Sequence, residues 1–527
     1  MTSEKYILAV DHGTSGVKTA IISISGRVVD FAFEKADLFF LPGGGVEQDP
    51  DQWWRAVVST SARLMARGTV DKKNIAAVSV SSTFSSTVAV DRNGKALMRA
   101  ITWMDTRGGP HVKRAMAGFP SFDGYGVVKA LKMVSRTGGA PTLSGKDDIG
   151  HVLLVQHEFP GVYEQTYMFL PSKDYLNLKL TGEFAATFDS VHLFWVTDIR
   201  DIANIHYDPE LIGTFGIDPE KLPPLMAATD ILGRITDENA DRMGLEPGTP
   251  VVAGSPDHQT ACVGSGAVAD FAGHLYIGTS SWVQCLVPFK KTDVLHSVAS
   301  FPTAVPGKYQ AVNEQDIAGE ALDFFIENVL TRASQDENGR DSYRYINELA
   351  GQAPPGSGNL IFTPWLNGER TPVDNEFIRG GLFNLSQTTT TAHMIRAVME
   401  GVAFNNRWAL KYVERFIGRQ LDPINIIGGG AKSDLWCRIF ADVLNRDIRR
   451  VRQPMMANAR GAAFIAAVSL GEIRFADIPD LIEFDGIFHP RPENRSVYDM
   501  LFNQFLRLYK AHKSICKTLN RFTGHPS

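Results

Sequence analysis

Residues 5–25 read KYILAVDHGTSGVKTAIISIS. An apolar run, Tyr6 to Val10, ends at Asp11. The turn residues His12 to Gly16 follow, and then a second apolar run, Lys18 to Ile24. A third run, Val28 to Phe33, comes after Ser25-Gly26-Arg27. Runs of this length broken by Gly and Ser predict an antiparallel meander. The same order returns at residues 273–289, GHLYIGTSSWVQCLVPF: an apolar run, Gly-Thr-Ser, then another apolar run. Two strand–GTS–strand units so far apart predict an internal duplication, with two like lobes facing each other. The Pro/Gly turn LEPGTP places the boundary near Pro250 to Gly254.

Between these units the pattern is mixed α/β. EQDPDQWWRAVVSTSARLMARG predicts a helix capped by Asp49 or Asp51, with Pro50 in its first turn. A Val/Ser/Thr strand is predicted over Ala76 to Val90, and GQAPPGSGN (351–359) reads as a loop. The end, YDMLFNQFLRLYKAHKSICKTLNRF, has helical spacing and predicts an extension packed back on the body. The chain has 527 residues, 44% hydrophobic and 21% charged, with a net charge of −5 spread along it. That is ordinary globular composition for more than one domain. It carries no basic block of the kind a nucleic-acid surface needs. The start MTSEKY has no signal-peptide pattern, and the longest uncharged run, Asn74 to Val90, is too polar for a membrane span. Four scattered cysteines and thirteen histidines show no metal-ligand spacing, which favours reduced structural thiols, a cytoplasmic setting and no tightly held zinc.

Several stretches can carry chemistry. In DHGTSGVK a glycine-bearing turn exposes backbone N–H groups, and Thr14 and Ser15 add hydroxyls, which suits phosphate oxygens. It is not a Walker A loop, and a plain hairpin turn reads equally well. Asp11 beside such a loop suits Mg²⁺ held largely through water, or an Asx-turn acid. VVAGSPDHQTACVGSGAV sets one acid, Asp257, among small residues, where it can cap a helix, bind a metal or take a proton. The GxGxxA echo in VGSGAVAD lacks a following βαβ unit and is no dinucleotide fingerprint. IIGGGAKSDLW is strand, three glycines and helix, open to an anion or to a purely structural turn. WLNGERTPVDN brings Asn367, Glu369 and Arg370 into one turn, with a surface loop as the plain reading. ITWMDTRG puts Trp103, Asp105 and Arg107 past a short strand, fit for a polyol pocket or for a buried Trp beside an ion pair.

Taken in order, these segments resemble the FGGY family of carbohydrate kinases, and within it most closely the xylulokinases. The likeness covers nearly the whole chain. DHGTSGVKTAII and YIGTSSW resemble the two phosphate loops, GSPDHQTACVG the segment of the catalytic Asp, and IIGGGAKSDLW the adenosine site. EQDPDQWW, PSKDYLNLKLTGEFAATFDS and PWLNGERTP resemble further xylulokinase stretches, and Gly381 to Glu400 the second family signature.

The resemblance implies an α/β, two-lobed actin/hexokinase-type fold with ribonuclease-H-like cores and a cleft between them. Residues 1–254 would form the sugar-binding lobe with the first phosphate loop, and 255–527 the ATP-binding lobe with its helical extension. It implies Asp257 as general base and Asp11 as the residue organising Mg²⁺. ATP would lie against Thr14, Ser15, Thr279, Gly319, Asp323, Gly429, Gly430 and Asp434. Phe84, Ser85, Trp103, Asp105, Asp257 and His258 would face the substrate, a small sugar or polyol. No nucleic-acid or membrane partner is implied, and a homodimer is compatible with the family.

The chain also departs from the pattern. Thr83 to Ser86 stand where xylulokinases commonly have Gln-Met-His-Gly, so Ser85 takes the place of a substrate-contacting His. His151 and Leu154 replace the usual Lys and Trp, Asn384 replaces a Gly, and His258 stands where Asn or Gln is usual. The resulting expectation is ATP-dependent phosphorylation of a pentulose such as D-xylulose. Ribulose, a tetritol, gluconate or another polyol is the alternative acceptor, and a non-catalytic sugar- and nucleotide-binding regulator the alternative class.

Overall fold

The computed structural model describes residues 4–329 and 342–520. The first three residues of MTSEKY and the last two of the C-terminal helical stretch lie outside that range. Strands β1 (Tyr6–Gly13), β2 (Gly16–Ser23) and β3 (Val28–Lys35) form the expected meander, with Gly13 opposite Gly16 across a two-residue turn. Helix α1 (Pro50–Ala66) starts as its sequence predicts. The Asp49 carboxylate accepts the Asp51 N–H, Pro50 occupies the first turn, and Trp53 and Trp54 are buried.

The single strand expected over Ala76 to Val90 is two strands in different sheets. Strand β4 (Ile75–Ser82) runs parallel to β1, while β5 (Thr87–Val90) belongs to a separate five-stranded sheet. Thr83 N–H still donates to His12 O, but Ser85 then adopts φ +60° and turns the chain away. A left-handed Ser is costly in an extended run, so the break belongs to the turn itself. Helix α2 (Ser172–Thr181) packs beside β4. Strands β6 (Ile231–Arg234) and β7 (Pro250–Val252) then complete the first sheet in the order β6-β7-β4-β1-β2-β3, and α3 (Asp257–Gly264) leaves its end.

The second sheet repeats this plan. It contains β8 (Gly273–Ile277), β9 (Ser281–Val287), β10 (Val298–Pro302) and β11 (Tyr309–Gln315). After helices α4 (Gly319–Asn328), α5 (Ser342–Ala350) and α6 (Thr391–Ile417) come β12 (Ile424–Ile427), α7 (Asp434–Leu444), β13 (Ile448–Val451) and α8 (Ala457–Ser469). Strand β14 (Phe484–Phe488) and helix α9 (Arg495–Asn520) end the described chain. In each sheet the first strand pairs antiparallel with the second; β2 then pairs antiparallel with β3, and β9 likewise with β11, with β10 on the far side of β11. The first also pairs parallel with a later strand, which pairs parallel with the next. Even the outer strands correspond, β6 antiparallel to β7 and β14 antiparallel to β13. The duplication read from two GTS turns is therefore a duplication of topology.

Helices α3 and α8 lie between the sheets. Their Ala261, Val263, Ala462 and Ile465 pack in one apolar cluster with Ile7, Ala9, Ala20 and Ile22 of the first sheet and Trp282, Leu286 and Val312 of the second. A Cβ on Gly264 would stand 1.8 Å from Ala457 O, and one on Gly461 1.9 Å from Thr260 O. The two helices therefore cross in backbone contact. Helix α9 packs back as expected, with Tyr498 and Phe505 against Phe404 and Trp408. All four cysteines are free and buried. Among the described residues no helix is long and apolar enough to cross a membrane.

Candidate active site

Asp257 is the first residue of α3, at the end of the first sheet. Gly254 turns the chain into it with φ +70°, and its Cα approaches β4 so closely that a Cβ would sit 2.2 Å from Val80 O. Only glycine satisfies both demands. The partly exposed Asp257 carboxylate accepts the His258 N–H at 2.9 Å, and the backbone N–H of Phe84 lies close enough to favour its ionised form. Desolvation pushes its pKa up to about 8, and the negative charges of Asp11 and Glu314 add to the rise, against the lowering effect of those two N–H groups.

Three of the expected site residues surround it. Asp11, nearly buried on β1, faces Lys18 across the hairpin at 3.3 Å, and Lys18 also donates to Met455 O at 3.0 Å. Phe84 lies 5.8 Å from the His258 ring. His258 stacks on Trp282 at 4.2 Å, and Trp282 on Tyr276 at 3.9 Å. Burial lowers the His258 pKa, which keeps the ring neutral, and its Nδ1 has no hydrogen-bond partner. Ser85 is turned elsewhere: its hydroxyl donates to Lys146 O at 2.8 Å.

Trp103 and Asp105 differ in what they offer. Trp103 Nε1–H donates to Thr14 Oγ1 at 3.0 Å, which holds the indole against the first turn, while Gln48 donates to Thr14 O at 2.9 Å. Ser15 is exposed at the tip of that turn. Asp105 is fully buried. Its oxygens accept the Val46 N–H and the N–H groups of Arg107, and Arg107 also bonds Glu47. Of the two readings of ITWMDTRG, the ion pair describes Asp105, and the half-open indole beside the turn describes Trp103.

WLNGERTPVDN is not a surface loop. Glu369 is buried and accepts from Asn405 at 2.5 Å, and burial pushes its pKa up to about 8. Arg370 reaches Glu314 at 2.6 Å and Asp316 at 3.2 Å, both from the end of β11. The other Glu314 oxygen lies 3.9 Å from His258 Nε2. Glu314 and Asp316 were invisible in the sequence, because YQAVNEQD reads only as a strand. The one available signal was the charge of Arg370 in a turn of small residues, which needs an acid opposite.

The second GTS turn gathers the other group of expected residues. Gly319 N–H donates to Gly278 O and Ala318 N–H to Thr279 O, each at 2.8 Å. A Cβ on Gly319 would lie 2.5 Å from Gly278 O. The glycine triplet packs on the same segment. Gly428 has φ +93° with Ile277 O 2.4 Å from its Cβ position, and a Cβ on Gly430 would meet Ile277 Cγ2 at 2.4 Å. Gly429 has open space at its Cβ position, and Thr279 is exposed. Asp323 and Asp434 flank this floor through α5. Tyr343 of that helix donates to Asp323 at 2.7 Å, and its Asn347 pairs with Ser433, the residue capping α7. Asp434 itself is ion-paired with Arg450 at 2.5 Å.

Residues 6–264 match the N-terminal domain, and residues 274–470 the C-terminal domain, of the FGGY family of carbohydrate kinases. The chain belongs to this family. An FGGY kinase uses ATP to phosphorylate a small sugar. The chain is 29% identical to a xylulose kinase of Staphylococcus epidermidis, covering 99% of this chain and all of that one. It is 26% identical to a gluconokinase of Bacillus subtilis, covering 96% of each. The xylulose kinase structure from Lactobacillus acidophilus superposes over 96% of this chain and 98% of its own with a TM-score of 0.84, at 24% identity. That places the molecule in the two-lobed actin/hexokinase-type fold.

The donor set also fits a nucleotide carrying a divalent cation. Among the described residues no group of three or more His, Cys, Asp or Glu is arranged to hold a metal. Mg²⁺ does not need one, since it keeps several waters and takes one or two carboxylates plus phosphate oxygens. Asp11, held at one oxygen by Lys18 and beside an exposed N–H-bearing turn, is a carboxylate of that kind.

Proposed function

We propose that this FGGY kinase transfers the γ-phosphoryl group of ATP to a hydroxyl of a pentulose, D-xylulose first, with Asp257 as general base. The observation that carries the proposal is the setting of Asp257. It is a carboxylate with a raised pKa, held by the His258 N–H and within the electrostatic reach of Asp11 at the same end of the first sheet. Phosphoryl transfer is largely positioning and charge stabilisation. The acceptor hydroxyl must still lose its proton, and a base near neutral pKa takes it at little cost. Asp257 would accept that proton as the substrate oxygen bonds to phosphorus and ADP leaves. Mg²⁺, when bound, would neutralise phosphate charge, with Asp11 holding it through water. Residues 1–254 would hold most of the sugar and 255–527 most of the nucleotide. Trp103, Phe84 and His258 would offer the stacking surfaces, while the Ser85 hydroxyl, donating to Lys146 O, would serve a substrate only as an acceptor. Closure of the lobes would exclude water.

The gluconokinase likeness keeps an aldonate as the second reading. Glu314 and Asp316 do not weigh against it, since Arg370 pairs with both and Lys146 lies within their electrostatic reach. A coupled ADP-release assay over D-xylulose, D-ribulose, tetritols and gluconate decides between them. Turnover with gluconate and none with ketoses reverses the order, and no turnover with any acceptor removes the kinase reading.

The nucleotide half has its own test. Gly430→Ala drives a Cβ into Ile277, directly before the Gly278–Ser280 turn. The expected result is a rise of about tenfold in KM for ATP, equivalent to roughly 1.4 kcal/mol, with KM for the sugar unchanged. Steady-state kinetics with either substrate varied reads this directly.

A further inference from the structure

The stretch PSKDYLNLKLTGEFAATFDS has no task in the site described so far, yet it contains a charged cluster with almost no contact with water. Lys173 and Ser255 are fully buried, and Asp174, Asp189 and Ser190 nearly so. Lys173 Nζ donates to Asp174 and, at 3.0 Å, to Ala253 O. Asn177 Nδ2 donates to the same Ala253 O at 2.7 Å. Ser190 Oγ–H donates to the second Asp174 oxygen at 2.6 Å, and Ser255 Oγ–H to Asp189. Residues 253 and 255 are thus both gripped, on either side of Gly254, four and two residues before Asp257.

The start of the same helix, α2, grips a second segment. Ser172 N–H donates to Ser86 O at 2.8 Å, and Ser172 Oγ–H to Ser82 Oγ at 2.9 Å. Between Ser82 and Ser86 lies Phe84, whose ring is 5.8 Å from that of His258 and whose backbone N–H favours the ionised form of Asp257. The first turn of α2 therefore anchors both the chain segment that carries Asp257 and the one that brings Phe84 beside it. Burial raises the pKa of Asp174 and Asp189, and Lys173 opposes the rise in each. Buried ions of this kind seldom add stability over apolar packing, so a gain in conformational definition is the better account of their presence.

We infer that Lys173, Asp174, Asp189 and Ser255 are positioning residues that set the reach and orientation of the base Asp257. The inference rests on the reading of Asp257 as general base. A catalytic group displaced by about 1 Å can cost on the order of 100-fold, so a small loosening here is visible in kcat.

The test uses the full chain with Ser255→Ala, Asp189→Asn and Ser255→Thr, assayed with ATP and D-xylulose, or with whichever acceptor the panel identifies. Amide hydrogen exchange is followed by mass spectrometry alongside. The expected result for Ser255→Ala and Asp189→Asn is a fall in kcat of about 10- to 100-fold. KM for ATP should stay within about twofold of the parent, and exchange should rise only at residues 82–86 and 253–258. Ser255→Thr, which keeps the hydroxyl, should recover most of kcat. Parental kcat in both disruptive variants overturns the inference. So does exchange that rises throughout the chain with kcat falling in proportion to the folded fraction, which marks a merely structural cluster. A wild-type chain that phosphorylates no acceptor removes the functional reading instead. The exchange pattern then still decides whether the cluster governs the 253–258 segment.

Discussion

Asp257→Asn is expected to lower kcat/KM for the sugar by about 10² to 10⁴, the usual contribution of a positioned general base. The substitution keeps the shape of the side chain and can still accept the His258 N–H. Folding and ATP binding should therefore survive, and loss of both would mean a structural role instead. The pH dependence supplies a second, signed readout. The base works only when ionised, and burial together with Asp11 and Glu314 pushes its pKa up to about 8. Activity should rise with pH through that region, not level off near the ordinary carboxylate range. Glu314→Gln removes one of the charges that oppose ionisation, so the rising limb should move toward acid. A limb that stays in place, or moves toward base, contradicts the assignment. kcat/KM profiles of parent and variant, measured over pH 5 to about 10, separate these outcomes.

The fold was legible because it rests on patterns that single residues reveal. Two Gly-Thr-Ser turns between apolar runs announced a repeated hairpin, and the repeat proved to be one of strand order and direction. Asp257 stood out as a candidate because an acid among small residues has few uses, and the family resemblance alone favoured a base among them. The acids and bases around it were hidden, for a physical reason. Glu314, Asp316 and Arg370 meet only through tertiary packing of β11 against a loop more than 50 residues away, and neither segment differs locally from an ordinary strand or turn. The break at Ser85 was hidden too, since Thr-Phe-Ser-Ser carries no glycine to mark its left-handed turn. The same blindness affected Asp105. Its sequence neighbours allowed a pocket wall, but Val46 and Arg107 take up its oxygens. His151 shows the other side of the limit. It stands where the resemblance implies a Lys, and the structure buries it within a helix with Nδ1 at 2.9 Å from Thr87 Oγ1. What the sequence lacks is therefore mostly long-range pairing, while period and punctuation survive in it.

Gly461→Ala is expected to be among the most damaging single-methyl additions in the molecule. Its Cβ would stand 1.9 Å from Thr260 O and within 3 Å of two further backbone atoms of that residue. Nothing nearby can rotate aside, because the obstacle is main chain in the first turns of α3. Relief requires α3 and α8 to separate, which opens the apolar cluster that joins the two sheets. Overpacking in cores usually costs about 1–3 kcal/mol and occasionally more, and a backbone clash at a helix crossing belongs at the upper end. A loss of about 3 kcal/mol is a large share of the 5–15 kcal/mol that keeps a typical protein folded. Because α3 begins at Asp257, kcat should fall even in the fraction that stays folded. Gly213→Ala is the control: it lies in the helix Pro209–Phe215 with nothing within 4 Å of its Cβ position. There the added methyl improves helix propensity by roughly 0.8–1.0 kcal/mol, so thermal stability should hold or rise with kcat unchanged. Thermal unfolding and kcat measured on both variants test the argument. Equal behaviour of the two would mean that α3 and α8 do not cross in backbone contact.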